Sequence, residues 1–215
     1  MVRQEVVALP ASRLRPVNGF SLSQLLLALA GLLFMSLAVP AWVAVRVNQA
    51  RIGRAERDVT VIAEAIQRFE RDNGFLPAWT RASSGGPGPA AERVDLLVGP
   101  GAMPRVADGA GVGWRSGRTD ALERQLIDNA PGYTRPSSAE RQGWQGPYLP
   151  APPTADPWGN RYLVIIGAAG GQVESPGVPG AASVISAGPN GVLETPYQTG
   201  GVATLPGDDI GVRFR

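Results

Sequence analysis

The stretch RIGRAERDVTVIAEAIQRFERDNGFLP, residues 51–77, decides the fold of this chain. Its apolar side chains recur every three or four residues, which is the period of an amphipathic helix. They are Ile52, Ala55, Val59, Ile62, Ala63, Ile66 and Phe69. Asn73-Gly74 supplies the left-handed residue that ends many helices, and Pro77 keeps the helix from resuming. We predict a helix from Phe20 to Asp72 whose outer part docks on a small sheet, in preference to a coiled-coil seam or a stalk.

Upstream of this stretch, residues 20–45 contain no charged side chain. A helix of about 20 apolar residues is long enough to cross a bilayer. Arg3, Arg13 and Arg15 precede the segment, and a basic flank favours the cytoplasmic side. The apolar run also exceeds the roughly 7 to 15 residues of a cleaved secretory signal. We therefore expect a single membrane-spanning helix, with residues 1–19 in the cytoplasm and the C-terminal domain outside.

The composition excludes several classes of enzyme. The 215 residues include no cysteine and no histidine, and all 20 basic residues are arginine. Histidine-dependent triads, histidine or thiolate metal sites and Schiff-base lysines are therefore excluded. A formal net charge of only +2 also argues against a nucleic-acid partner. We expect a chain that is not an enzyme and has no catalytic residues.

The junction between the basic leader and the apolar segment carries a resemblance. Gly19-Phe20-Ser21-Leu22 resembles the class III signal of type IV pilins and pseudopilins. In that family a prepilin peptidase cuts after the glycine and methylates the new N-terminal phenylalanine. The resemblance implies processing between Gly19 and Phe20.

Two further positions bear on assembly. The family usually has a glutamate where this chain has Gln24, and the glutamate neutralises the N-terminal ammonium of a neighbouring subunit. An amide accepts a hydrogen bond from that ammonium but cannot cancel its charge. Gln24 is therefore either an altered assembly residue or a tolerated polar residue near the membrane interface. Pro40 interrupts one backbone hydrogen bond and allows a kink in the apolar helix.

A second resemblance lies in the C-terminal part of the chain. Its motifs are Gly143-Trp144-Gln145-Gly146-Pro147-Tyr148-Leu149-Pro150 and Asp156-Pro157-Trp158-Gly159-Asn160-Arg161-Tyr162. Both closely resemble the C-terminal domain of the major, G-type pseudopilin of type II secretion, and residues 58–77 are similar to its matching helix end. The fold class that this implies is α+β and pilin-like, with a long N-terminal helix, partly transmembrane, packed on a small antiparallel sheet.

The residues themselves indicate where the sheet lies. Apolar runs between Gly/Pro loops predict strands over 162–166, 182–186 and 210–214. Asp156 to Asn160 has the composition of a tight turn. Trp158 and Tyr162 are expected to anchor the small core.

The loop before the last strand resembles the region in which that family holds a calcium ion. The candidate ligands are Ser186, Asn190, Asp208 and Asp209. Asn190 stands where the family commonly has aspartate, and Asp209 matches its last aspartate before isoleucine. Calcium takes roughly six to eight oxygen ligands, so the amide should weaken binding. A solvated turn without an ion is the alternative.

The chain divides into five segments on these grounds. They are a leader (1–19), a transmembrane helix (20–45), the periplasmic part of the long helix and its end (46–77), a variable Gly/Pro-rich insert (78–142) and a small C-terminal β domain (143–215). Little packing is predicted over 83–89 and 100–117, and short helices are predicted over 91–97 and 119–129. We expect the insert to be a surface decoration, with a recognition surface for a substrate or tip partner as the alternative.

The resemblances imply a pseudopilin subunit of a periplasmic type II secretion filament, polymerised through its N-terminal helix. The implied partners are the prepilin peptidase, other pseudopilin subunits and the inner-membrane secretion platform. The pseudopilin subunits include further copies of this chain as well as minor pseudopilins. The implied location is the inner membrane, with the C-terminal domain in the periplasm. Two alternatives stay open: a minor pilin of a type IV pilus or competence system, and a membrane-anchored periplasmic binding protein that never polymerises.

Overall fold

The computed structural model describes residues 19, 21–80, 82–83, 86–87, 92–111, 113–137, 141–166, 182–197 and 205–214. Its helices are α1 (Leu22–Asn73), α2 (Gly113–Ser116) and α3 (Leu122–Leu126). Its strands are β1 (Ala82–Ser83), β2 (Gly86–Pro87), β3 (Leu96–Val98), β4 (Arg105–Val106), β5 (Thr119–Ala121), β6 (Leu163–Ile165), β7 (Ser183–Ser186), β8 (Val192–Leu193) and β9 (Ile210–Arg213).

The ends of helix α1 follow from local hydrogen bonding. At its start the N–H of Ser21 donates to Oε1 of Gln24 at 3.0 Å, and the N–H of Gln24 donates to Oγ of Ser21 at 3.3 Å. This reciprocal pair is a capping box, which satisfies two amide donors at the helix start. At its end Gly74 has a φ of 80° and its N–H donates to the carbonyl of Glu70 at 2.7 Å. The predicted long helix and its Asn-Gly end are confirmed.

The chain divides into two compact units, Met1–Val45 and Arg46–Arg215. In the first unit, large apolar side chains of α1 are exposed, namely Leu22, Leu25, Leu26, Leu27, Leu29, Leu32, Leu33, Phe34, Met35, Trp42, Val43 and Val45. Among the described residues, no helix is long and apolar enough to qualify as a membrane span. Residues 1–18 and Phe20 lie outside the described residues, as does the side chain of Pro40, so the kink expected at Pro40 stays a prediction.

In the second unit, α1 packs on a mixed sheet. Five strands of the described chain form it in the order β5-β3-β6-β7-β9. The predicted strands are confirmed as β6, β7 and β9, and the pairs β3·β6, β6·β7 and β7·β9 are antiparallel. The edge pair β3·β5 is parallel, so the sheet is not purely antiparallel as expected. The helix expected over 91–97 is wrong, because Leu96–Val98 pairs on both sides as a strand, and the helix expected over 119–129 is limited to Leu122–Leu126.

Successive residues of a strand face opposite sides of a sheet, and both faces of this sheet are covered. Val164, Leu97 and Val184 belong to a cluster that includes Ile62, Ile66 and Phe69 of α1. Their strand neighbours Leu163, Leu96 and Ile185 belong to a second cluster with Trp114, Leu193 and Tyr197. Burial of both faces stabilises the sheet by removing apolar surface from water.

The second cluster overturns the expectation that the insert is a surface decoration with little packing over 100–117. Trp114, from that segment, is only 1% exposed, and its Nε1 donates to the carbonyl of Thr195 at 2.8 Å. Leu96 and Leu122 of the insert are fully buried as well. The physical reason is that a sheet with two apolar faces needs a cover on each. The helix packs on one face only, whereas the insert contributes to both clusters, with Leu122 in the first and Trp114 in the second.

Candidate functional site

The residues predicted for processing and assembly lie at the start of α1. Gly19 is exposed, and no described atom lies within 4 Å of where a β-carbon would stand. Gln24 is not a free polar side chain, because its amide oxygen accepts the N–H of Ser21. Neither sequence interpretation of Gln24 included this role. The spacing Ser21-x-x-Gln24 before an apolar run is the sequence signal of a capping box, in which glutamine and glutamate both serve.

The predicted turn after residue 155 is present and is organised by Asp156. One carboxylate oxygen of Asp156 accepts the N–H groups of Trp158 and Asn160 at 3.0 and 2.7 Å, and the other accepts the hydroxyl of Ser186 at 2.7 Å. These three bonds compensate the burial of a carboxylate that is only 4% exposed. Gly159 takes a φ of 91° within the turn.

The aromatic anchors differ in part from the prediction. Tyr162 is buried as expected, but Trp158 is only half-buried and lies outside both apolar clusters of the described chain. Trp144 and Tyr148 are buried in the core instead, with ring centroids 4.9 Å apart and an angle of 89° between the ring planes. Trp158 lies in the turn itself, where its N–H donates to Asp156 and the residue is only half-buried.

Tyr162 also links α1 to the loop over residues 149–154. Its hydroxyl donates to Oδ2 of Asp58 at 2.9 Å, and Asp58 pairs with Arg54 at 3.4 Å. Arg54 in turn donates to the hydroxyl of Thr154 at 2.9 Å. Burial, and then the neighbouring carboxylate, raise the pKa of the Tyr162 phenol, so it keeps its proton even in alkaline solution. A groove lined in part by Asp58, Thr154 and Tyr162 lies beside this chain of contacts.

A cluster of three carboxylates lies where the C-terminal loops meet. The pairing of Ser186 with Ile210 brings the turn after β7 beside the turn before β9. Asp208 and Asp209 come from the second turn, and Glu194 follows β8. Two glycines permit the close approach of these loops. A β-carbon on Gly188 (φ 62°) would collide with the carbonyl oxygen of Asp208, and one on Gly207 (φ 66°) would collide with Oε2 of Glu194.

One oxygen of each carboxylate is committed to hydrogen bonds. Oδ2 of Asp209 accepts the N–H of Glu194 at 3.0 Å and both the N–H and the hydroxyl of Thr195 at 2.7 and 2.6 Å. Oδ2 of Asp208 accepts the N–H of Asn190 at 2.9 Å. Oε1 of Glu194 accepts the side-chain amide of Asn190, also at 2.9 Å. Asn190 therefore ties two of the three acids together.

The other oxygen of each carboxylate has no partner in the part of the chain that the structure describes. These oxygens are Oδ1 of Asp208, Oδ1 of Asp209 and Oε2 of Glu194, and all three are buried. Asp209 is 8% exposed. Burial is the main cause that raises the pKa of its carboxyl, the charge of Glu194 adds to the effect, and the hydrogen bonds from Thr195 and Glu194 oppose it.

Buried oxygens with spare lone pairs and no partner are costly unless something pairs with them. No salt bridge to these three acids is found among the described residues. The donor set consists of carboxylate oxygens, which are the ligands that calcium prefers. The described residues nevertheless contain no group of three or more histidine, cysteine, aspartate or glutamate side chains arranged to hold a metal ion. A calcium ion here would therefore need backbone carbonyls and water as further ligands, which calcium commonly accepts.

The predicted calcium ligands are only partly brought together. Asp208 and Asp209 lie in the cluster, and Asn190 lies beside it as a hydrogen-bond donor. The hydroxyl of Ser186 is bound to Asp156 instead. Sequence reasoning missed Glu194. The sequence did offer a signal, because Glu194 is an acidic residue of the same Gly-rich loop, four residues after Asn190. Comparisons of the chain with protein-family models, curated proteins and solved structures found no match.

Proposed function

We propose that this chain is a pseudopilin subunit of a type II protein secretion filament, anchored in the inner membrane and cleaved after Gly19. The observation that carries the proposal is the exposed apolar surface of α1 between Leu22 and Val45. A helix that is apolar on all sides needs a cover, which lipid or the helices of other subunits would provide. The residues 20–45 that form it contain no charged side chain.

The second unit supports the same proposal. Its part of α1 is amphipathic, and the apolar face packs on the sheet through Ile62, Ile66 and Phe69. Helix α1 is thus apolar on all sides in the first unit and apolar on only one face in the second. This is the division expected of a subunit that polymerises through its first half and carries a folded domain on its second. The partners are then copies of this chain, minor pseudopilins, the prepilin peptidase and the inner-membrane platform.

Gln24 favours one related candidate, a minor subunit of a type IV pilus or competence system. A glutamine satisfies the capping box as a glutamate would, but it leaves a neighbour's ammonium uncompensated. A subunit present in few copies tolerates this better than a repeating one.

Processing is the first test. Mass spectrometry of membrane fractions should find a mature chain that begins at Phe20. Gly19→Leu should block the cut, because the side chain fills the space where the peptidase approaches the backbone, whereas Gly19→Ala should only slow it. An intact leader in the wild-type chain would contradict the filament proposal and favour a non-polymerising membrane anchor.

Assembly is the second test. Gln24→Glu keeps an N3 capping side chain and adds the carboxylate that pairs with the neighbouring ammonium, so crosslinking between subunits in membranes should increase. Gln24→Ala is the matched control, since it removes both the cap and the polar group. If Gln24→Glu leaves crosslinking unchanged or lowers it, the chain is not a repeating subunit of the filament.

We further propose that calcium binds at the cluster of Glu194, Asp208 and Asp209, with Asn190 beside them and with backbone carbonyls and water completing a ligand set that the three carboxylates do not provide by themselves. The ion would neutralise the cluster and pair with its three unpartnered oxygens. A ligand that binds only the folded state stabilises it by about 2.7 kcal/mol at a hundredfold excess over Kd. For a domain of this size that corresponds to a rise in Tm of about 5–11 °C.

The measurement compares the Tm of a fragment that begins at Arg46 in millimolar calcium and in chelator. Millimolar calcium is needed because sites of this kind in extracellular modules have a Kd of about 10⁻⁴ to 10⁻³ M. Asp209→Ala should abolish the difference, and Asp108→Ala, at an exposed turn, should preserve it. Equal wild-type Tm values in calcium and chelator would remove the metal from the proposal and leave the filament function standing.

A further inference from the structure

Three Asn-Gly pairs occur in the chain, at Asn18-Gly19, Asn73-Gly74 and Asn190-Gly191. Such a pair is prone to spontaneous deamidation, because glycine has no side chain to keep its backbone nitrogen away from the carboxamide of the preceding asparagine. Asn18 lies outside the described residues. The other two pairs differ in burial, in the direction in which the asparagine side chain is held, and in the hydrogen bond that the glycine nitrogen makes.

The first of these pairs is protected by the end of α1. Asn73 is only 8% exposed, and its Nδ2 donates back along the helix to the carbonyl of Phe69 at 2.9 Å and to the hydroxyl of Tyr148 at 3.1 Å. The N–H of Gly74 donates to the carbonyl of Glu70 at 2.7 Å, so the attacking nitrogen is occupied as well. Reaction at Asn73 therefore requires local opening of a buried helix end, which is rare.

The second pair is exposed, and its asparagine side chain is folded forward over the next peptide. Oδ1 of Asn190 accepts the N–H of Val192 at 2.6 Å, and its Nδ2 donates to Oε1 of Glu194 at 2.9 Å. A side chain bonded to the amide two residues on encloses the intervening peptide in a ring, as in an Asx turn. The carboxamide carbon of Asn190 therefore lies beside the nitrogen of Gly191, which is the arrangement from which attack proceeds.

Two further bonds of this turn favour the reaction. The N–H of Gly191 donates to the carbonyl of Gly188 at 3.3 Å, which is longer than usual for such a bond, so the attacking nitrogen is weakly held. The N–H of Val192 is directed at the oxygen on which negative charge develops during attack, as in an oxyanion hole. The nucleophile, the electrophile and the donor to the oxyanion thus come from three consecutive residues.

We infer that Asn190 is a site of spontaneous covalent modification, at which the side-chain amide is converted into a carboxylate, while Asn73 of the same motif is protected. The nitrogen of Gly191 bonds to Cγ of Asn190, the Cγ–Nδ2 bond breaks, and Nδ2 leaves as ammonia with the proton that Gly191 loses. Water then opens the succinimide that results. Hydrolysis at Cγ gives aspartate, and hydrolysis at the backbone carbonyl gives isoaspartate. This inference depends on neither the filament nor the calcium site of the proposed function.

The modification changes the carboxylate cluster. An oxygen replaces the Nδ2 donor, so Oε1 of Glu194 loses its hydrogen bond and faces a further negative charge, which repels it. Asn190→Asp reproduces the aspartate product, and Asn190→Ser is the matched variant that loses the amide without adding charge. In chelator, the Tm of the full chain in detergent should be about 2–4 °C lower for the aspartate variant than for the serine variant. Equal Tm values would refute this effect on the cluster.

Peptide mapping of the full chain in detergent tests the modification itself. The folded protein is incubated in chelator and in water enriched in heavy oxygen, which marks the product formed during incubation and not during digestion. Cleavage at arginine releases Asn73 within residues 72–81 and Asn190 within residues 162–213, and neither peptide contains another asparagine. Asn190 should convert at least about tenfold faster than Asn73, because a buried site reacts only through local opening.

The chain unfolded in denaturant is the reference. Both pairs then react as bare Asn-Gly sequences, so their rates should become comparable. Asn190→Gln is the matched control in the folded chain, since it keeps the amide but would have to close a larger ring, and conversion at this position should be lost.

Two results would overturn the inference. Conversion of Asn190 at least about tenfold slower in the folded chain than in denaturant would show that its bonds to Val192 and Glu194 protect it. Equal rates for Asn190 and Asn73 in the folded chain would show that the fold does not select between the two pairs.

Discussion

Phe69 belongs to the apolar cluster that packs α1 against the sheet, and its replacement by alanine gives a sharp prediction about the fold. The side chain is fully buried. Its ring is in contact with four other aromatic rings, those of Phe75, Tyr133, Trp144 and Tyr148, with centroid distances of 6.1, 4.8, 6.0 and 5.4 Å. These rings come from the helix end, the insert and the C-terminal motif, so a single side chain joins three parts of the domain.

The magnitude follows from this environment. Replacement of a buried phenylalanine by alanine costs about 3–5 kcal/mol, from the lost transfer free energy and the cavity that remains. Each favourable aromatic pair adds about 0.5–1.5 kcal/mol beyond its buried area, so the upper part of the range, about 4–5 kcal/mol, is expected. For a domain of 150–250 residues this lowers Tm by about 8–20 °C.

The assay is thermal unfolding of the fragment that begins at Arg46, followed by near-ultraviolet circular dichroism, which reports the aromatic environment. Val61→Ala is the control on the same helix. Val61 is 42% exposed, and its truncation should change stability by no more than about 0.5 kcal/mol. A Phe69→Ala protein that melts within about 3 °C of the wild type would refute the assignment of this cluster as the centre of the core.

Four other outcomes are expected. Tyr162→Phe should destabilise the domain by about 1–2 kcal/mol, because Asp58 loses the phenol donor; an unchanged denaturant midpoint would contradict the hydrogen bond. Gly188→Ala should lower Tm more than Gly109→Ala, since both glycines have positive φ but only the first would meet a neighbouring carbonyl, and equal losses would show that the loops are not in close contact. The raised pKa of Asp209 means that the folded state keeps its proton at a pH where the unfolded chain, with a pKa near the ordinary 3.8, has lost it. Without calcium the contribution of Asp209 to stability should therefore fall as pH rises above about 4, whereas the rise in Tm produced by calcium should shrink as pH falls toward the raised pKa of Asp209, because protons compete with the ion; a pH-independent calcium effect would exclude Asp209 as a ligand.

Some features could be predicted from the sequence because short stretches determine them. The apolar residues of α1 recur with the helical period, and Gly74 alone can take the left-handed conformation that ends it at low cost. The turn at Asp156 closes through hydrogen bonds to residues two and four positions further along the chain. The three strands of the C-terminal domain are apolar runs between Gly/Pro loops, and they were located within one or two residues.

Other features required the tertiary structure. Leu96–Val98 is an apolar run too short to distinguish helix from strand by its period, and it is a strand because β6 and β5 pair with it from both sides. Because of the same pairing, this part of the insert belongs to the core and is not a surface loop. Trp114 could not be assigned to the second face, because the acceptor of its indole, Thr195, lies 81 residues away.

The carboxylate cluster shows the same division. The sequence by itself pointed to Asp208, Asp209 and Asn190 as neighbours in a loop, and it determined the helix, its end and the Asp156 turn, because each depends on interactions within a few residues. Only the tertiary structure placed Glu194 beside Asp209 and turned Ser186 toward Asp156. The first contact depends on the pairing of β7 with β9, and the second on the pairing of β6 with β7; each pairing joins segments more than 20 residues apart or nearly so. Local pattern sets the conformation of a segment, whereas the partner of a buried charge depends on which distant segment the fold brings against it.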